Sequence, residues 1–350
     1  MTVDAAPVPA RGTAETWNFR LALWTWFASI PLILFGGTVT TMRAGMAEDG
    51  WLQPDGHFLW FYPLAQRAQS LGFFVEHHHR EFGSLVGLLA ISSFAVALFT
   101  RARPAAKWLS GLALLAVCLQ GLLGGLRVLE NSPRLAFVHG ALAQAVFALL
   151  AAVPVVLSAR WAAAAPPRDA RRGAGEIAGV GPSLVRSSTV LVVLAFAQAV
   201  LGAIFRHSGE GLALSLHVLL AVGVLGAVAI TCRHLKSLAA ERELAGLEAR
   251  VLRRAVWRLH ALIGVQILLG VLTTFFIYEV SGGMQAPVSV GEAVFATAHV
   301  AVGALLLASA VEAAIWARRV TAPAAESARV ARPAAFAATA GMSVAAEEAP

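Results

Sequence analysis

Four of the ten histidines in this 350-residue chain stand near the start of a long apolar run: His79, His139, His217 and His299. Polar rings are rare in membrane helices because hydrocarbon does not solvate them, and they usually face the interior of a helix bundle. For a single histidine the simplest role is a hydrogen bond to a neighbouring helix. The recurrence of four, two in each half of the chain, favours a different role as metal ligands.

Two histidines on facing helices of a four-helix bundle can hold a haem, whose iron accepts one axial ligand from each side. One helical turn after each of the four histidines stands a residue with a small side chain, where a flat macrocycle could lie without a clash. These residues are Gly83, Ala143, Ala221 and Gly303. The pattern predicts two haem sites with all four histidines as iron ligands.

The other six histidines do not share this setting. Four of them fall in loops or near helix ends, where solvated or interfacial positions are expected: His57, His207, His234 and His260. His77 and His78 directly precede His79, and consecutive helical positions face different directions. At most one of these three rings can therefore enter a common site.

Glu76 precedes His79 by three residues, which places both on one face if the helix already includes Glu76. A carboxylate there could accept a proton or stabilise positive charge during a reaction. The simpler alternative is a first-turn glutamate that interacts favourably with the helix dipole. Four arginines near the same helix ends could bind the carboxylates of a ligand or extend to the membrane interface: Arg80, Arg127, Arg134 and Arg206.

The elements that must position these residues are membrane helices. The chain is 58% hydrophobic and only 13% charged, whereas soluble domains carry about 25% charged residues. About 20 mostly apolar residues span the roughly 30 Å hydrocarbon layer of a bilayer. Eight runs meet this length, at about 20–42, 82–100, 108–127, 135–158, 187–205, 211–232, 256–278 and 292–316. The sequence thus predicts an all-α integral membrane protein with eight transmembrane helices.

The basic residues predict how these helices are oriented. Of the 27 Lys and Arg residues, 21 lie in the two tails and in the segments near 101–107, 159–186 and 233–258. Short basic loops stay cytoplasmic, so both termini are expected in the cytoplasm and residues 43–78 outside. The four histidines then share one depth near the outer surface. The formal charge of +7 fits these topology signals, so no nucleic-acid partner is expected.

The two halves of the chain resemble each other. Residues 118–124 in the third run parallel residues 265–270 in the seventh, and each segment precedes a run with an early histidine. We therefore expect two tandem four-helix bundles, residues 20–158 and 187–316, arranged as a parallel repeat. The Arg-, Pro- and Gly-rich residues 159–186 are predicted to form a cytoplasmic linker. Residues 1–19 would be a cytoplasmic tail, and the Ala-, Pro- and Glu-rich residues 317–350 a disordered one.

Several motifs, in order along residues 20–316, resemble the haem A synthase family. Residues 76–80, Glu-His-His-His-Arg, are similar to the family's Glu-x-x-His-Arg segment. The Gly-Gly-Thr-Val-Thr-Thr segment at 36–41 resembles the end of its first helix, and the segments 120–125 and 198–209 resemble further family motifs. Each motif alone is weak, but their order together with four placed histidines is specific.

The resemblance implies a reaction and its setting. Members of this family oxidise the C8 methyl group of haem O to a formyl group, which gives haem A for cytochrome oxidase. The chain would be a multi-pass protein of the bacterial inner membrane, surrounded by lipid. Its expected partners are haem O synthase and an electron donor, and assembly into a homo-oligomer is left open.

The resemblance also implies roles for individual residues. It assigns the substrate to the N-terminal half, with Glu76 as the catalytic residue and three residues that bind haem O: His79, His139 and Arg80. It assigns a haem b cofactor to the C-terminal half, with His217 and His299 as ligands of its iron. One departure matters, because many members have cysteine pairs in outer loops, whereas Cys118 and Cys232 both lie in apolar runs. Thiol chemistry in a loop is therefore not expected here.

Two other functions remain open at this stage. A bis-histidine b-type cytochrome would use the same four ligands to move electrons, and a transporter or assembly scaffold would use the histidines structurally. Glu76 favours the enzyme, because electron transfer between tightly held haems needs no carboxylate beside a ligand.

The predicted topology can be tested with reporter fusions after Arg103, Arg172 and Gly282. We expect a cytoplasmic reporter to be active after Arg103 and Arg172, and a periplasmic reporter to be active after Gly282. Activity of a cytoplasm-only reporter at Gly282, or of a periplasm-only reporter at Arg172, would contradict the common depth of the four histidines.

Overall fold

The computed structural model describes residues 13–48, 50–51, 53, 56–63, 67, 70–100, 102–164, 177–240 and 246–321. Most of the N-terminal tail, residues 165–176 of the expected linker and residues 322–350 of the expected disordered tail lie outside these described residues.

Nine α-helices and no β-strand are present in the described part of the chain. They are α1 Thr13–Thr41, α2 Leu71–Phe99, α3 Pro104–Leu129, α4 Pro133–Leu157, α5 Ala159–Ala163, α6 Ile177–Ser208, α7 Gly211–Ala240, α8 Gly246–Phe275 and α9 Val290–Thr321. A 3-10 turn at Leu59–Phe61 follows α1, and a π-helical turn at Phe276–Val280 continues α8. All helices except α5 are long and apolar enough to cross a membrane, which confirms the eight predicted transmembrane helices.

Several helices begin earlier than the apolar runs predicted. The run at 82–100 excludes the charged residues before it, yet α2 begins at Leu71, where the Ser70 hydroxyl accepts a hydrogen bond from the Phe73 amide at 3.1 Å. That cap provides a partner for one of the free amides of the first turn. The charged segment 76–81 is therefore helical, and His79 lies in the third turn of α2.

Helix contacts form two closed rings. In the first half α1 packs on α2 and α4, and α3 also packs on α2 and α4; in the second half α6 packs on α7 and α9, and α8 packs on the same two helices. The two sets meet through α1, α4, α6 and α9, where an apolar cluster includes Phe147, Ala195, Ala304 and Leu307. The small side chains of Ala195 and Ala304 let the helices approach closely.

Large apolar side chains cover the outward faces of the helices. Leu112 on α3, Leu219 on α7 and Val271 on α8 are each at least half exposed. Exposed apolar side chains of this kind suit helices that are surrounded by hydrocarbon.

Candidate functional site

The structure brings the four singled-out histidines together as two pairs. His79 on α2 faces His139 on α4 with ring centres 6.3 Å apart, and His217 on α7 faces His299 on α9 with ring centres 6.2 Å apart. Each pair joins the second and fourth helices of one ring of contacts. We call them the first and second histidine pairs.

Every one of these rings lies against a glycine of the preceding transmembrane helix. The glycines are Gly36, Gly124, Gly202 and Gly270. A Cβ atom added at these positions would lie 2.8, 3.0, 2.9 and 3.1 Å from Cε1 of His79, His139, His217 and His299, respectively. Real Cβ contacts are longer than this, so only the absence of a side chain lets the ring and the helix backbone come so close.

A backbone carbonyl holds three of the rings in one orientation. It belongs to the residue four positions before the glycine, and the Nδ1 atoms of His79, His139 and His217 lie 3.1 Å from the carbonyl oxygens of Leu32, Gln120 and Gln198. A carbonyl only accepts hydrogen bonds, so Nδ1 must donate and the lone pair of the ring belongs to Nε2. This arrangement is the usual support of a metal-binding histidine.

Glutamine side chains add a second contact at three of the four positions. Gln120 and Gln198 donate from Nε2 to the backbone carbonyls of His139 and His217, at 2.6 and 2.9 Å. Gln266 occupies the corresponding place before Gly270, and its Nε2 lies 3.3 Å from Nε2 of His299. In the sequence, these supporting residues are marked by a Gln-x-x-x-Gly segment. Each such segment precedes a helix that has a histidine in its first turns.

The histidine pairs fit a haem. Imidazole nitrogens bind metals at about 2.0 Å, so two rings that face each other across one ion have their centres about 6 Å apart. Both observed separations agree with this value. A pair supplies only two ligands, and no group of three or more His, Cys, Asp or Glu side chains among the described residues is arranged around a common metal position. A porphyrin supplies the four remaining nitrogen ligands itself.

Glu76 is fully buried and makes hydrogen bonds through both oxygens. Its Oε2 accepts from the backbone amides of Ala47 and Glu48 at 2.7 and 3.1 Å, and its Oε1 accepts from Arg80 at 2.9 Å. Arg127 on α3 lies 3.8 Å from the same Oε1. The carboxylate therefore bridges α2, α3 and the loop after α1.

Arg80 donates four hydrogen bonds inside the protein and makes an ion pair through its Nε group. The Nε group faces Glu48 Oε2 at 3.2 Å, and the two terminal nitrogens donate to Glu76 and to the backbone carbonyls of Glu48, Gly50 and Trp51. The sequence predicts that this arginine binds the substrate haem, and that role stays a prediction; in the structure its terminal nitrogens contact Glu76 and the loop after α1.

Glu48 and His77 form a buried pair that the sequence analysis did not identify. Nδ1 of His77 donates to Oε1 of Glu48 at 2.6 Å, and neither side chain is exposed. Burial raises the pKa of the Glu48 carboxyl above its usual range, while the hydrogen bond from His77 and the charge of Arg80 act in the opposite direction. A carboxylate 29 residues before its histidine partner carries no local sequence signal.

The three consecutive histidines do face different directions. His77 contacts Glu48, His78 packs against Phe74 with ring centres 4.1 Å apart, and His79 faces His139. Only His79 therefore enters the first pair.

The surroundings of the second pair are simpler. Arg206, in the last turn of α6, interacts electrostatically with His299 and with the buried Glu292 of α9. Glu292 lies about two turns before His299 and was not singled out from the sequence. The residue three positions before His217 is Leu214, whereas the corresponding residue before His79 is Glu76.

No protein-family model matches the chain, and no curated protein is a significant match.

The glycine contacts generate a test of the histidine pairs. In Gly124→Ala the new methyl group would push His139 away, and overpacking of this kind costs about 1–3 kcal/mol, so we expect haem binding at the first pair to weaken about tenfold. Gly121→Ala is the matched control, because it lies one turn earlier on α3 and has no neighbour within 4 Å. Haem titration of the purified variants, followed by the Soret band, measures the difference. Equal affinities for the two variants would contradict the site.

Proposed function

We propose that this chain is a haem A synthase, which oxidises the C8 methyl group of haem O to a formyl group. The observation that supports this proposal best is the pair of facing histidines in each half, with ring centres 6.2–6.3 Å apart. Each ring is seated on a glycine, and three of the four are held through Nδ1 by a backbone carbonyl. The motif resemblance suggests the reaction, and the geometry of the two pairs supports the proposal of two haem sites.

In this proposal the two halves are tandem four-helix bundles with different roles. His79 and His139 hold the substrate haem O, whereas His217 and His299 hold a haem b cofactor. The cofactor, when bound, supplies one-electron redox chemistry. The difference between the halves follows from the charged residues Glu48, Glu76 and Arg80, which surround only the first pair.

Glu76 is the proposed catalytic residue. Its carboxylate could accept a proton from the reacting methyl carbon or stabilise positive charge that develops there. Both oxygens now accept hydrogen bonds from the loop after α1 and from Arg80, so the residue would act after at least one of these bonds is released. Arg80 has a positioning role, because it orients Glu76 and holds the loop.

The proposed setting is the bacterial inner membrane, with both termini in the cytoplasm and both histidine pairs near the outer surface. The 21 to 6 division of basic residues supports this orientation. Haem O synthase would deliver the substrate. The reaction would be of the monooxygenation type with dioxygen as the oxidant, and a membrane electron donor would supply the electrons that reduce the second oxygen atom to water.

A bis-histidine b-type cytochrome is the second candidate, and the near-equal separations within the two pairs favour it. Haem extraction from the purified protein, with chromatographic identification, distinguishes the two. Haem O and haem A beside haem b support the synthase, and haem b alone supports the cytochrome.

The second pair can be tested by removing either ligand. In His217→Ala or His299→Ala we expect the tightly bound haem b to be lost from the purified protein, because the imidazole is the main attachment of the iron. His260→Ala is a suitable control, since this ring lies on α8 and hydrogen-bonds only within its own helix turn, to the Val256 carbonyl at 2.8 Å. Undiminished haem b in both variants would contradict the assignment.

The catalytic assignment predicts a different result for Glu76→Gln. Glutamine has nearly the same shape but is neutral, so haem b should be retained while haem A is no longer formed. The measurement is the haem content of the purified variant, together with haem A formation in cells that supply haem O. If Glu76→Gln makes haem A at nearly the parent rate, Glu76 has only a structural role.

A further inference from the structure

The outer end of the first pair is covered by residues of the loop after α1. We call residues 44–48, 50 and 51 the outer segment. It begins at Ala44, whose amide donates to the Val39 carbonyl at 2.9 Å and whose methyl group packs on Gly72 in the first turn of α2. The Trp51 ring lies directly on Gly125 of α3. Gly125 is the neighbour of Gly124, on which His139 is seated.

Charged residues fasten this segment to the helices beneath it. Glu76 accepts two of its backbone amides, and Arg80 donates to three of its backbone carbonyls. Glu48, which belongs to the segment itself, is buried between His77 and Arg80. Arg127 lies under Gly45 and is close enough to interact electrostatically with both rings of the first pair.

The second pair is closed in another way. There α8 continues directly into the π-helical turn, and Phe276 packs over Gly291 and stacks on Phe295 with ring centres 5.0 Å apart. This closure combines helix and apolar packing with a short loop, residues 281–289, whose Met284 carbonyl accepts a hydrogen bond from Arg43. The closure of the first pair consists of hydrogen bonds and ion pairs to a loop, which can be exchanged for water without exposing a large apolar surface.

We infer that Glu48, Glu76 and Arg80 are positioning residues that hold the outer segment over the first histidine pair, and that a haem passes this segment when it enters or leaves that pair. The inference rests on the proposed function only in that the first pair takes a haem. It assigns the exchangeable ligand to the first pair and the permanent one to the second. A route sideways between the helices, from the lipid, is the competing possibility.

Two variants loosen the segment from opposite sides without touching a proposed ligand or Glu76. Glu48→Gln removes the charge that His77 and Arg80 hold. Gly125→Ala places a methyl group where the Trp51 ring lies and so displaces the segment without altering any charge. Glu312→Gln is the matched control, because it removes a single ion pair, Arg258–Glu312 at 2.6 Å, at the opposite end of α8 and α9.

The first measurement needs no haem. The amides of Ala47 and Glu48 donate to Glu76, so hydrogen exchange of the peptide that contains them reports how often the segment opens. A hydrogen bond to a charged group is worth about 1.5–3 kcal/mol, so we expect exchange about tenfold or more faster in Glu48→Gln and unchanged in Glu312→Gln. Unchanged exchange in both Glu48→Gln and Gly125→Ala would show that these residues do not hold the segment.

The second measurement is haem transfer. In the full-length protein with His299→Ala, haem b bound at the first pair is mixed with excess apomyoglobin, and its departure is followed by absorbance. We expect departure about tenfold faster in Glu48→Gln and in Gly125→Ala, and haem association faster as well, because a lowered barrier changes both rates. A general loss of stability would instead raise only the rate of departure.

The outcomes separate this inference from the proposed function. If hydrogen exchange accelerates but both haem rates equal those of the parent, haem passes between the helices and the inferred route is wrong. If the parent protein binds no haem at the first pair, the proposed function fails, while hydrogen exchange still decides whether Glu48 and its partners hold the segment.

Discussion

The contact between a histidine ring and the bare backbone of the neighbouring helix is the constraint on which the rest of this structure depends. The ring occupies the space that a Cβ atom would need, so glycine is required at Gly36, Gly124, Gly202 and Gly270. The same contact brings Nδ1 of three rings to a carbonyl of the adjacent helix. It therefore fixes helix spacing, ring orientation and tautomer together, and Nε2 is left as the possible metal ligand.

Charge is the second constraint, because charged side chains of the transmembrane helix α2 lie beside the first pair. Unpaired charges in such a position are expensive, and buried carboxylates need partners that satisfy both oxygens. Glu76 meets this requirement through Arg80 and backbone amides, and Glu48 through a hydrogen bond from His77 and an ion pair with Arg80, so the cluster is nearly neutral. The same bonds connect α2, α3 and the loop after α1, which explains why α2 remains helical through the six polar residues 76–81.

The two halves hold their histidine rings in the same way, but the residues that surround the rings differ. Both pairs have nearly the same separation and the same seat on glycine. The first is covered by a segment held through ion pairs, whereas the second is closed by stacked phenylalanines and a loop held by hydrogen bonds. Such a difference suits a protein in which one haem is a substrate and the other a resident cofactor.

Much of the fold follows from the sequence alone. Runs of about 20 apolar residues leave a chain few choices other than membrane helices, because each backbone polar group must find a partner within its own helix. The eight transmembrane helices were predicted for this reason, and the four histidines of the pairs were singled out by their recurrence. The starts of α2 and α8 were placed too late, because charged residues in the first turns of a helix look like loop residues in a hydropathy pattern.

The tertiary structure alone decided which groups contact one another across the sequence. The spacing from Glu48 to His77, or from Gly36 to His79, has no periodicity, since a loop or a helix reversal separates the partners. Arg80 illustrates the consequence: its position near a helix end shows only that it could reach a carboxylate, and the packing decides that its guanidinium contacts Glu76 and the outer segment. A long apolar run is a local property and can therefore be recognised in the sequence. The pairing of polar groups, in contrast, depends on how the helices are brought together.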